Sequence, residues 1–139
     1  MIEVVNRQRK VRIDPESWQS FSEKALNAIR KQSAHATIAF VSDRQIKELN
    51  RRFRGVDKAT DVLSFPAGDE TSDATTNLGD IAVSLERAAI QAKENQLTVD
   101  EEIAQLILHG LLHLCGYDHE TDKGEMNRLE LQLRRQLEI

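Results

Sequence analysis

A single cysteine, Cys115, stands in the 139 residues, so no disulfide can close within the chain, which suits a reducing compartment. Long apolar runs are missing too: no stretch approaches the ~20 apolar residues of a membrane span. Met1 to Arg7 lack the basic head and apolar core of a secretory signal. These absences make a soluble, cytoplasmic protein with no membrane partner the expectation. Excess positive charge is also lacking, and a net charge of −4 argues against indiscriminate nucleic-acid binding. No repeat, low-complexity tract or linker interrupts the chain. Hydrophobic and charged contents of 40% and 30% are globular values, so one domain over 1–139 is expected.

The charge is less even than its sum. Arg7, Arg9, Lys10 and Arg12 cluster near the start, and Arg44, Lys47, Arg51, Arg52, Arg54 and Lys58 share a segment whose only acids are Glu48 and Asp57. Such clusters are usually solvated faces, with a local basic surface as the alternative.

Apolar periodicity sketches the elements. Ile2 to Asn6 and Val11 to Ile13 read as short strands. Asp14 followed by Pro15 starts a helix that buries Trp18, Phe21, Ala25 and Ile29. Thr37 to Val41 is a strand, and Ser42 caps a second helix with Ile46, Leu49 and Phe53 on its inner side. A loop around Gly55 precedes a strand from Asp61 to Phe65, stopped by Pro66. Ala67 to Asn77 is an exposed loop, Leu78 to Ser84 a strand, and Leu85 to Asn95 a helix. Thr98 with Glu101 forms a capping box for a helix whose Ile103, Leu106, Ile107, Leu111 and Leu112 surround it with apolar surface. That helix should run through the middle of the domain. A last helix from about Thr121 buries Met126, Leu129, Leu133 and Leu137. The expected class is α+β, a small mixed β-sheet packed with helices.

Three of the four histidines, His109, His113 and His119, fall in the run His-Gly-Leu-Leu-His-Leu-Cys-Gly-Tyr-Asp-His. Imidazoles four apart lie one turn above each other and can reach one ion at roughly 2.0 to 2.1 Å. Gly116 can reverse the chain just past the helix end and bring His119 back as a third ligand. Three protein ligands leave a position open, as catalytic zinc sites do. His35, alone in a polar stretch, and Cys115, a small apolar filler, are read as structural. Imidazole suits zinc, nickel, copper and iron alike, so the spacing calls for one divalent ion without naming it.

The spacing also resembles the ligand pattern of metzincin proteases, with one departure: Gly110 stands where those enzymes carry a glutamate. Losing that proton shuttle typically costs about a hundredfold to ten-thousandfold, which disfavours peptide hydrolysis. A phosphodiester suits such a site better, because its transition state gathers negative charge on oxygens that an ion and an arginine stabilise. Asp118 and Glu120 are the nearest carboxylates in sequence, read either as acids orienting a ligand imidazole or as turn residues.

Three blocks together resemble the YbeY family of bacterial endoribonucleases and rRNA maturation factors. They are Leu49 to Asp57 running into Thr60-Asp61-Val62-Leu63-Ser64-Phe65-Pro66, then Leu78-Gly79-Asp80-Ile81, then His109 to His119. The resemblance implies a zincin-like α+β fold with a zinc-type ion on His109, His113 and His119. It implies a substrate-facing catalytic arginine at Arg54, whose alternative is a loop residue paired with Asp57. It also implies single-strand RNA cleavage in 16S rRNA 3′-end maturation and ribosome quality control, with the small ribosomal subunit and its proteins as partners. Asp80 is left between lining the cleft and capping a turn. Two other functions remain alternatives: a non-catalytic assembly factor with a structural metal, and a metallohydrolase of a peptide or amide bond.

Overall fold

A computed structural model describes residues 1–31, 33–67, 76–118 and 121–139. Strand β1 (Ile2–Asn6) pairs in parallel with β2 (His35–Val41), and helix α1 (Pro15–Ala28) connects them. Helix α1 begins where a capping residue permits it. Asp14 holds extended backbone and accepts from the Glu16 N–H, while Pro15 fills the first helical position, where no N–H is needed. Trp18, Ser22, Ala25 and Leu26 form its buried stripe.

Helix α2 (Asp43–Arg54) carries a full capping box between Ser42 and Gln45 and stops at Gly55. Strand β3 (Val62–Pro66) runs antiparallel to β4 (Asn77–Ser84), which pairs in parallel with β2. The sheet among the described residues is therefore mixed, in the order β1-β2-β4-β3. Pro66 is tolerated because β3 is an edge strand. Helices α3 (Leu85–Glu94), α4 (Val99–Leu114) and α5 (Glu125–Leu137) complete the chain. The α+β class expected from periodicity is the one observed.

Strand alternation sorts the side chains into two layers. On one face Ile2, Ala36, Ile38, Phe40, Ile81 and Val83 pack with α1, α4 and α5. On the other, Val41, Leu63 and Ala82 pack on Ile46 of α2, with Leu49 and Phe65 beside them. Helix α4 runs through the first layer, buried at Ile103, Ile107, Leu108, Leu111 and Leu112. Its apolar circumference required that position.

Three expectations are corrected. Val11 to Ile13 is not a strand, because the Gln8 side chain takes both backbone groups of Val11, donating to its carbonyl at 2.8 Å and accepting from its N–H at 2.9 Å. The last helix starts at Glu125 rather than near Thr121: Gly124 sits at φ 96, and the Asp122 carboxylate accepts from the Gly124 and Met126 N–H groups. Phe53 is 61% exposed although Ile46, two turns earlier on the same helix face, is fully buried. The periodicity holds there, but α2 has reached the edge strand, where Phe65 is the only ring paired with it among the described residues. Of the expected loop, Asn77 opens β4, Ala67 donates to the Leu78 carbonyl, and 68–75 lie outside the described residues.

Candidate active site

Helix α4 carries the histidines on its last two turns. The Thr98 hydroxyl accepts from the Glu101 N–H, and the Glu101 carboxylate accepts from the Thr98 N–H, so the helix starts firmly. At its other end Nε2 of His109 and Nε2 of His113 approach to 3.0 Å, with ring centroids 4.6 Å apart and ring planes at 79°. Two nitrogens sharing a tetrahedral ion at 2.0 to 2.1 Å would stand about 3.3 Å apart. The pair therefore aims at one point.

The other nitrogen of His109 is anchored. Its Nδ1 lies 2.7 Å from Oε1 of Glu130 on α5, and Oε2 of Glu130 accepts from Nη2 of Arg134 at 2.8 Å. With a proton on Nδ1 donated to the carboxylate, Nε2 keeps a lone pair directed outward, the state in which imidazole ligates a metal. By this donor chemistry the residues fit a divalent ion. His119 and Glu120 lie outside the described residues, and among the described residues no group of three candidate ligands comes together.

After Leu114 the chain turns as Gly116 permits. Gly116 has φ +96 and donates to the His113 carbonyl at 3.0 Å, and Tyr117 donates to that of Leu112 at 3.1 Å. Cys115 is half-buried, and loss of solvent pushes its thiol pKa up, against a weaker opposing pull from Lys31. It stays a protonated filler, as read from the sequence.

Gly110 explains the absent protease glutamate. A Cβ at this position would stand 3.0 Å from Cδ1 and Cγ2 of Ile81 on β4, and the Gly110 carbonyl accepts from the Ser64 hydroxyl at 3.3 Å. The residue after His109 thus points into the helix–sheet contact. A longer side chain has no room there.

Between α4 and β3 opens a cleft of about 610 Å³ lined by Arg54, Asp61, Ser64, His109, His113 and Tyr117 among others. Arg54 reaches it from the end of α2, so the structure brings this arginine and the histidine pair to one cavity. It is exposed and forms no ion pair among the described residues, so the alternative pairing with Asp57 is not realised. Asp118 also lines the cleft. Asp80 does not: it is exposed on β4, opposite Phe65 and Thr37. His35 is an exposed residue at the start of β2.

Sequence reasoning missed Glu130 as the carboxylate on His109 and looked instead to the neighbouring acids. Its signal was present: Glu130 follows Met126 by four and precedes Arg134 by four, a carboxylate on the buried stripe of α5. It also missed a polar tie behind the cleft. With its amide nitrogen facing them, Gln91 donates to Oε1 of buried Glu102 at 3.0 Å and to Oδ2 of Asp61 at 3.1 Å. This joins α3, α4 and the start of β3.

Fold and cleft together define an α+β domain whose histidine pair is mounted on a buried helix. Comparison with known proteins makes the class specific. Residues 3–138 match the family described as Endoribonuclease YbeY. A protein named Endoribonuclease YbeY from Solibacter usitatus is 50% identical over 95 residues, covering 68% of this chain and 60% of that protein. Its namesake from Aquifex aeolicus is 43% identical over 120 residues, covering 86% and 77%. The solution structure of TM1509 from Thermotoga maritima aligns with a TM-score of 0.69 at 30% identity, covering 99% of this chain and 89% of that one. The chain belongs to the endoribonuclease YbeY family. Its match spans 60% and 64% of the length of the Solibacter usitatus and Koribacter versatilis relatives.

Proposed function

We propose that this chain is a metal-dependent endoribonuclease that hydrolyses phosphodiester bonds of single-stranded RNA, acting as one domain over 1–139. Its substrate in this reading is precursor 16S rRNA, met on the small ribosomal subunit in the cytoplasm. No helix among the described residues is long and apolar enough to cross a membrane. The observation that carries the reading is the convergence of the His109 and His113 Nε2 atoms on the cleft that Arg54 rims.

His109, His113 and His119 would hold the ion. A divalent ion, zinc first among candidates, supplies Lewis acidity and lowers the pKa of water from 15.7 to about 7. Glu130 keeps the Nδ1 proton of His109 in place and so fixes which nitrogen faces the cleft. Arg54 offers its planar fork to two non-bridging phosphate oxygens and neutralises the charge that grows on them during attack. Gly110 leaves no carboxylate to pass a proton to a leaving amine, which favours a phosphodiester over a peptide.

Elemental analysis of the purified protein, followed by cleavage of single-stranded RNA before and after chelation, tests this reading. Cutting should vanish with the metal and return on its addition. His113→Ala should bind RNA without cutting it. Undiminished cutting by the stripped protein or by His113→Ala overturns the proposal, and turnover of peptides in place of RNA redirects it to another bond.

A further inference from the structure

We propose that Phe53 is a stacking platform for an unpaired nucleobase, standing beside the cleft and selecting single-stranded over duplex RNA. The inference rests on the RNA reading above and extends it to a residue that the proposed chemistry does not use. Phe53 is 61% exposed, and Val56, three residues further on, is 42% exposed. An apolar ring at a core-facing helical position, left in solvent, asks for an occupant.

The ring is not loose. It meets Phe65 with centroids 5.5 Å apart and planes at 68°, an edge-to-face pair that sets its orientation. Phe65 lies between Ser64 and Pro66, and both of those line the cleft. Arg54, the next residue after Phe53, lines it as well. One edge strand thus separates the platform from the site of cutting.

The surrounding charge identifies the occupant. Arg51, Arg52 and Arg54 fill the last turn of α2. Glu48 holds Arg51, whereas Arg52 and Arg54 form no ion pair among the described residues. The acids nearby are Asp57 in the following loop and Asp80, exposed on β4 opposite Phe65, so the cations outnumber them on the α2 side. Cations that attract phosphate, set beside an aromatic face that any base can cover, are the two components of a single-strand binding groove. A protein partner fits less well, since a stable interface needs about 800 Å² per partner around an apolar centre. Bases inside a duplex are already stacked and cannot reach such a ring, so the platform would reward unpaired strands alone.

Affinity for a short labelled single-stranded RNA tests the proposal with a His113→Ala parent, which cannot cut, and with Phe53→Ala, Phe53→Leu and Phe53→Tyr made on that parent. Phe53→Ala and Phe53→Leu should bind about 5- to 150-fold more weakly, as expected for loss of one stacked base. Phe53→Tyr should bind close to the parent. Abasic sites in the RNA should weaken the parent but add nothing to Phe53→Ala, and duplex RNA should not distinguish the variants. Thermal melting checks that each variant is folded; Phe53→Leu keeps apolar volume against Phe65 if Phe53→Ala does not fold. Unchanged binding by folded Phe53→Leu overturns the proposal and leaves the patch to a protein partner. An equal loss on abasic and intact RNA also overturns it. If the parent binds no RNA, this inference and the functional reading fall together. If the wild type binds RNA but does not cut it, the catalytic reading alone falls.

Discussion

Nδ1 of His109 on α4 and Oε1 of Glu130 on α5 stand 2.7 Å apart, and the same carboxylate accepts from Arg134 through its other oxygen. One buried acid therefore couples the last helix to the imidazole that faces the cleft. Glu130→Gln keeps the shape and an acceptor but removes the charge that polarises the ring. Metal affinity should fall about 10- to 100-fold, as for other carboxylate partners of ligand histidines. Competition with a metal chelator measures this. Glu130→Ala should also cost about 1 to 3 kcal/mol of stability, because it leaves the half-buried Arg134 and His109 without their shared acceptor.

Arg54 stands at the end of α2, forms no ion pair among the described residues, and lines the same cleft as the histidine pair. Arg54→Ala should lower kcat for RNA cleavage about 10²- to 10³-fold, the usual loss for one donor to a developing oxyanion. Metal content and melting should not change. Arg54→Lys should recover only part of the rate, because an ammonium cannot span two phosphate oxygens. RNA affinity should also fall steeply with salt in the wild type and less steeply in Arg54→Ala, one phosphate contact being gone. Steady-state kinetics and a salt titration check both.

Legibility from sequence followed the range of the interactions. Caps are local, so Asp14, Ser42 and Thr98 marked their helix starts correctly. The i, i+4 histidine pair is likewise a property of one helix, and it was readable before any tertiary structure. Glu130 could be read as a carboxylate on the buried stripe of α5, but not as the partner of His109, because that meeting depends on how α5 crosses α4 and no short window contains the angle. Phe53 shows the converse limit: periodicity gave its face correctly, yet whether a face is covered depends on where the sheet ends. Val11 to Ile13 looked like a strand because its apolar alternation is real, but a nearby Gln8 supplied the hydrogen bonds that a neighbouring strand would have offered.

Gly110 bears on both stability and mechanism. A methyl group there would press on Ile81 at 3.0 Å. Overpacking of that kind costs about 1 to 3 kcal/mol, against which alanine returns about 1 kcal/mol of helix propensity. Gly110→Ala should therefore be destabilised by at most about 2 kcal/mol and keep its activity. Gly110→Glu restores the sequence pattern of a protease but must drive a carboxylate into the helix–sheet contact. It should lose its cooperative unfolding transition and gain no peptidase activity. Urea denaturation and a peptide cleavage assay separate the two outcomes.

Acid should loosen α4 from its first turn. The backbone N–H of Thr98, and then the Thr98 side chain, hold the Glu101 carboxyl below the usual carboxylate range. A carboxyl with a depressed folded pKa contributes stability in full above its unfolded value, about 4.3, and loses it as pH falls through the folded value. Glu101→Gln retains a side-chain oxygen for the Thr98 N–H but carries no charge. At neutral pH it should be less stable than the wild type, and the gap should close on acidification below about pH 4. Thr98→Ala removes the cap on the Glu101 N–H instead, at a cost of about 1 kcal/mol. That loss should persist at acid pH, because the hydroxyl that accepts from the helix backbone does not titrate. Urea titrations of the three proteins across this range measure both gaps, and a gap for Glu101→Gln that widens with acid would show that the charge does not support the helix start.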